Sequence, residues 1–335
     1  MYSDAELDAA VKAGVLRPDD AAAFRTFVAR LHAAPGADEE RFRLLTGFND
    51  IFVAIAAALV LLALGWLGGL ASHPLGAALV AAASWGIAEY FTRRRRMALP
   101  SILLLLTFVG GVFLLCITLL GAADPALSET GRALRLAAGA AGAAVAAWLH
   151  WRRFMVPITV AAGVAATAGT VLALLAGALP VLRDLLPLGI LLAGLVVFAL
   201  AMRWDASDPE RVTRRADVAF WLHLAAAPMI VHPAFHLLRQ DRSVADAALA
   251  VSVYVVLAVV ALAVDRRALL VSGLAYVLYS ISALVRGEGS AGLSLALAAL
   301  AIGCGLLLLS ALWQQARRST VRLLPEGLRR RLPAG

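Results

Sequence analysis

From about residue 51 onward the chain is a succession of apolar runs, each about 20 residues long and without charge in its middle. That is the length at which an α-helix, rising ~1.5 Å per residue, crosses the ~30 Å hydrocarbon core of a bilayer. A helix is one of two spanning structures that satisfy every backbone polar group internally. The runs therefore dictate an all-α, polytopic transmembrane helical bundle. They exclude a soluble enzyme, a disulfide-stapled secreted domain and a disordered chain. Of the 335 residues, 62% are hydrophobic and 16% charged, an apolar excess too large for a soluble core to absorb.

Ten spans are expected, at 51–70, 75–92, 98–121, 132–149, 154–176, 185–202, 216–238, 246–264, 268–285 and 291–313. Three regions follow: a small helical domain over 1–48, the ten-span hairpin array over 49–313, and a basic tail over 314–335. In the first region Ser3 and Glu6 form a capping-box pattern, and Leu7, Ala10 and Val11 share one helical face. Gly14 stops that helix, and Pro18 opens a second as its first residue. Phe24, Phe27, Val28 and Leu31 recur at helical spacing. Pro35-Gly36 breaks the pattern, and a third segment from Asp38 passes Phe42 and Leu45 toward the membrane. A domain of this size buries little core of its own, so it is expected to lean on a partner protein, a second copy or the membrane face. The first apolar run comes too late for a cleaved leader.

The net charge is +8, from 30 Lys+Arg against 22 Asp+Glu. The basic residues cluster between spans, so they read as topology signals and not as a nucleic-acid surface. With the N-terminus placed in the cytoplasm, 24 of the 30 fall on inner segments and six (Arg132, Arg135, Arg183, Arg239, Arg242 and Arg286) on outer ones. That asymmetry places both termini inside and requires an even number of spans. Arg95–Pro100 resembles Arg152–Pro157, and Arg214-Arg215 and Arg266-Arg267 open later hairpins. Duplication and the ordinary placement of arginine pairs both account for this. Cys116 and Cys304 lie in apolar runs and read as buried hydrophobes.

The seventh span concentrates the chemistry: His223, His232 and His236 with Pro228 and Pro233. Ionisable groups inside a membrane are expensive and mark function. Pro228 removes a backbone hydrogen bond near mid-membrane and is expected to kink the helix. His232 and His236, four apart, share a face and supply two of the three ligands a metal site needs. The third would come from His73, Asp124, Asp184, Asp241 or Asp246. Otherwise the imidazoles bond a neighbouring helix or headgroup water. His223 is out of phase with the pair. At the inner end Glu89, Asn49, Asp50 and His150 lie at one depth and would form a polar pocket; alternatively Glu89 pairs with Arg93 one turn on, and Asn49 or Asp50 caps the first span. Ser272, Tyr276, Tyr279 and Ser280 form a polar stripe on the ninth span, suited to interhelical hydrogen bonds. Arg317, Arg318, Arg322 and Arg329–Arg331, interleaved with leucine and valine, suit a helix lying on an anionic leaflet. No cofactor-binding loop, nucleophile elbow, paired catalytic carboxylates or CxxC motif is present.

The segment Ala13-Gly14-Val15-Leu16-Arg17-Pro18, followed by alanine-rich spans with arginine-pair turns, resembles bacterial predicted integral membrane protein families without an assigned activity. The resemblance implies the bacterial inner membrane and transfers no catalytic residue and no cofactor. The layout admits three functions. One is small-molecule or ion transport near the seventh span. Another is a scaffold or sensor binding a cytoplasmic partner through 1–48. The third is an enzyme with a histidine metal site on the outer side.

Overall fold

The computed structural model describes residues 4–33, 48–208, 213–237, 244–267, 270, 296, 299–300, 303–305, 307–308, 311–323 and 325–326. The chain divides into two compact units, Met1–Phe42 and Arg43–Gly335.

In the first unit α1 (Asp4–Lys12) and α2 (Pro18–Ala33) form a helical pair. Gly14 ends α1 with φ of +69°, a left-handed conformation that costs a side-chain-bearing residue more. Leu7 and Ala21 are buried, and Arg25 donates to Asp8 at 2.6 Å. Phe27 stays exposed. The third expected segment, with Phe42 and Leu45, lies outside the described residues.

The second unit holds α3 (Phe48–Ala71), α4 (His73–Ala88), α5 (Ala98–Leu119), α6 (Glu129–Phe154), α7 (Ile158–Ala178), α8 (Leu186–Ala206), α9 (Arg214–Leu237) and α10 (Val244–Val264), followed by α11 (Trp313–Leu323). Among the described residues, seven helices are long and apolar enough to cross a membrane: α3, α4 with the turn that prolongs it to Arg94, and α5 to α9. They match the first seven expected spans within a few residues, and α10 matches the eighth. The chain is a multi-pass membrane protein. The ninth expected span, its Ser272–Ser280 stripe, most of the tenth, and Arg211, Arg239, Asp241, Arg242, Arg286 and Arg329–Arg331 lie outside the described residues.

Consecutive helices pack as hairpins, most extensively α6 with α7 and α8 with α9. Arginine-rich turns gather at one end and Ser72, Gly121–Ser128 and Leu179–Leu185 at the other. The α3–α4 turn is a single residue: Ser72, extended at φ of −165°, caps α4 by accepting from the Leu75 amide. Such a turn forces α3 and α4 together at once, and glycine makes this feasible. A Cβ on Gly76 would stand 2.6 Å from the Gly65 carbonyl oxygen, and one on Gly68 2.7 Å from the Gly76 Cα. Close backbone approach through small residues is the usual basis of helix pairing in lipid, where no hydrophobic force separates helix from solvent.

The two arginine-pair turns that look alike in sequence are built differently. α4 widens into a π-helical turn over Glu89–Arg94 before the left-handed residue Arg96. α6 instead runs straight through Arg152 and Arg153 to Phe154, and Met155 takes the left-handed position. Cys116 is partly buried, but Cys304 is exposed, contrary to expectation.

Candidate functional site

α8 enters the arginine end with Asp205 in its last turn, and Asp205 is 1% exposed. His223, buried on α9, donates Nε2–H to Asp205 Oδ2 at 2.9 Å. Arg266, two residues beyond α10 and also buried, donates Nη2–H to Oδ1 at 2.6 Å and Nε–H to Oδ2 at 3.4 Å. This fork-like grip is how a planar guanidinium matches a carboxylate. Phe198 meets the His223 ring edge-on at 5.2 Å, and the Arg266 guanidinium lies 5.9 Å from the Phe220 ring centre. One carboxylate thus holds two nitrogen bases, and three separate segments meet on it.

Sequence reasoning missed this cluster. It took Arg266 as a topology marker and passed over Asp205. The available signal was an acid three residues past the end of one apolar run, with a histidine inside the next. Beside it, Trp313 Nε1–H of α11 donates to Asp265 at 2.8 Å, and Arg267 stacks on the Trp313 ring at 4.8 Å. Trp313 and Arg317 are buried, so the start of α11 is anchored to the protein and not only laid on a leaflet.

α9 is helical from Arg214 to Leu237, through both prolines. Packing holds it, since residues of α9 sit in two of the buried clusters. Half of its apolar window is buried, the largest share among the seven helices. The prolines still lack N–H groups, so the carbonyls of Leu224 and Met229, four residues before them, lose their helical partners. Leu224, Pro228, His232 and His236 are all exposed and recur every four residues, forming one stripe on α9. The His232 and His236 rings stack with centres 6.3 Å apart. His223 lies apart from them, in the buried cluster. Among the described residues no group of three His, Cys, Asp or Glu converges as a metal would need, so His73, Asp124 and Asp184 do not complete the pair. The Asp246 side chain, like Asp241, is outside the described part.

The four residues expected at one depth have separate surroundings. Glu89 accepts from Arg153 at 2.7 and 3.0 Å and from Arg93 at 3.3 Å, which joins the π-helical turn to α6. The Arg93 partner was the simpler expectation; the Arg153 partner is new. His150 points away into an aromatic nest of Trp85, Phe108 and Phe154, with Nδ1 3.2 Å from the Thr159 hydroxyl. Asp50 is buried in the first turn of α3 and Asn49 is exposed. Glu89→Gln is expected to leave the thermal midpoint of detergent-solubilised protein near wild type, because partly exposed ion pairs contribute little. A large drop would show that the π-helical turn depends on the charge.

No family model, curated protein or solved structure matches the chain.

Proposed function

We propose that the protein moves a small solute or ion across the bacterial plasma membrane, with both termini in the cytoplasm, along the exposed stripe of α9. The observation that carries this reading is the stripe itself. The carbonyl freed at Leu224, the missing amide at Pro228 and the imidazoles of His232 and His236 lie in line on the exposed face of α9. In hydrocarbon a carbonyl left without its helical donor costs several kcal/mol, on the order of an unmade hydrogen bond, unless something polar meets it. Transport sites use backbone carbonyls exposed inside spans for this purpose. The resemblance in layout and the arginine distribution support the compartment and orientation.

A substrate-free test is available. In a Cys116→Ser, Cys304→Ser background, cysteine is placed singly at Leu224, His232 and His236 and treated with a membrane-impermeant methanethiosulfonate. A thiolate, which forms only where water reaches it, attacks the reagent's sulfur and expels methanesulfinate to leave a mixed disulfide. Labelling is expected at all three positions, including Leu224 deep in the span. Labelling confined to His236 would refute a path.

A second reading is a membrane scaffold or sensor that docks a cytoplasmic protein, or a second copy, through the N-terminal unit. The exposed Phe27 and Val15 of that unit favour it. Under it, Leu224→Cys stays unreactive and deletion of residues 1–42 abolishes partner capture. A histidine-based enzyme is the least supported of the three, since the described residues offer His232 and His236 no third ligand.

A further inference from the structure

α3 and α5 flank α4. Near mid-span they meet, since Ala57 and Leu61 of α3 and Leu104 of α5 belong to one buried cluster. Toward the Ser72 end they splay. The cleft between them is a groove of about 410 Å³, floored by Gly76, Ala77 and Val80 of α4 and walled by Gly65 and Gly69 on one side and Thr107–Thr118 on the other. His73 stands at its mouth. Its lining is almost entirely apolar, because the Thr107 hydroxyl is committed to Ser84 and to the Leu103 carbonyl.

Three features identify what this groove takes. First, its length: Thr107 to Thr118 spans ~16 Å of helix at ~1.5 Å per residue, close to half of a ~30 Å hydrocarbon core. It reaches from one membrane surface to mid-bilayer and ends there. Second, its width is preserved by glycines that helix packing does not require. A Cβ on Gly69 or Gly110 would meet nothing within 4 Å, yet glycine inside a helix costs roughly 0.5–1 kcal/mol relative to alanine. Third, the mouth is chemically distinct. Exposed His73, in the first turn of α4, stands there as a polar group at the end of an apolar groove.

We infer that this groove is a binding site for one phospholipid of the adjoining leaflet, with an acyl chain lying between α3 and α5 and the headgroup at the Ser72 end, beside His73. This site is independent of the path along α9.

The test uses the full chain in phosphatidylglycerol–phosphatidylethanolamine vesicles containing a trace of phospholipid with a diazirine in one acyl chain. After irradiation, adducts are mapped by peptide mass. Adducts are expected to concentrate on 65–80 and 107–118 relative to other spans. The Gly69→Leu, Gly110→Leu variant fills the groove and is expected to cut those adducts about tenfold, equivalent to ~1.4 kcal/mol of affinity, while adducts elsewhere persist. Even distribution over all spans of the wild-type chain would overturn the site without recourse to the variant. So would groove adducts unchanged by filling, or cross-links from the groove to a second copy.

Discussion

Replacing Asp205 with alanine is expected to destabilise the protein by about 3–5 kcal/mol, the usual consequence of removing one partner from a buried ion pair. The variant leaves the Arg266 guanidinium and the His223 imidazole buried without the acceptor they share. A loss of this size is a large part of the whole stability of an ordinary domain, ~5–15 kcal/mol. It should appear as a steep fall in the thermal midpoint and in the monodisperse yield after detergent extraction. Asp205→Asn keeps the shape and one acceptor oxygen and should fall between alanine and wild type. Combining Asp205→Ala with Arg266→Met removes the orphaned charge and should recover much of the loss, because double variants isolate the pair from its surroundings. If the single alanine variant matched wild type, the cluster would hold nothing together.

The second large effect is steric. Gly76→Leu puts a side chain where a Cβ alone would lie 2.6 Å from the Gly65 carbonyl oxygen and 2.9 Å from the Gly69 amide nitrogen. Both are backbone atoms and cannot rotate aside. α3 and α4 must separate, although the single-residue turn at Ser72 gives them no slack. Overpacking a tight interface typically costs about 1–3 kcal/mol, and a branched side chain against two backbones belongs at or beyond the upper end. Gly69→Ala is the control: it adds a methyl into open space and should be neutral or stabilising by up to ~1 kcal/mol. Thermal unfolding of the two variants side by side reads the difference. Equal stability would mean that α3 and α4 do not approach as closely as the backbone indicates.

The spans were legible because they rest on one strong term. Apolar length against bilayer thickness gives the existence and type of a helix at once, and the expected runs fall on α3 to α10. Boundaries followed less well where a helix continued beyond its apolar stretch. α6 extends to Phe154 because arginines tolerate helix as well as loop, and nothing in composition marks the π-helical turn at Glu89. Gly14 and Pro18 were readable because each has a specific backbone requirement. The candidate site was only half legible. Histidines within a span stand out singly, so His223, His232 and His236 were found, and the four-residue spacing that aligns the last two is local. The partners of His223 are not local: Asp205 is 18 residues away and Arg266 is 61 from that acid. Periodicity carries no information about which helices become neighbours. The arginine count even concealed Arg266, since a buried, paired arginine and a free cytoplasmic one look the same in sequence.

The 61 residues between Asp205 and Arg266 also bear on how the chain is made. At about 5–20 residues per second of synthesis, the guanidinium is polymerised some 3–12 s after the carboxylate and some 2–9 s after the imidazole. Until then the nascent carboxylate has at most an imidazole to share. Messages broken before codon 266 would yield products carrying a permanently stranded acid in an oily interior, a ready mark by which a membrane protease could tell unfinished chains from finished ones.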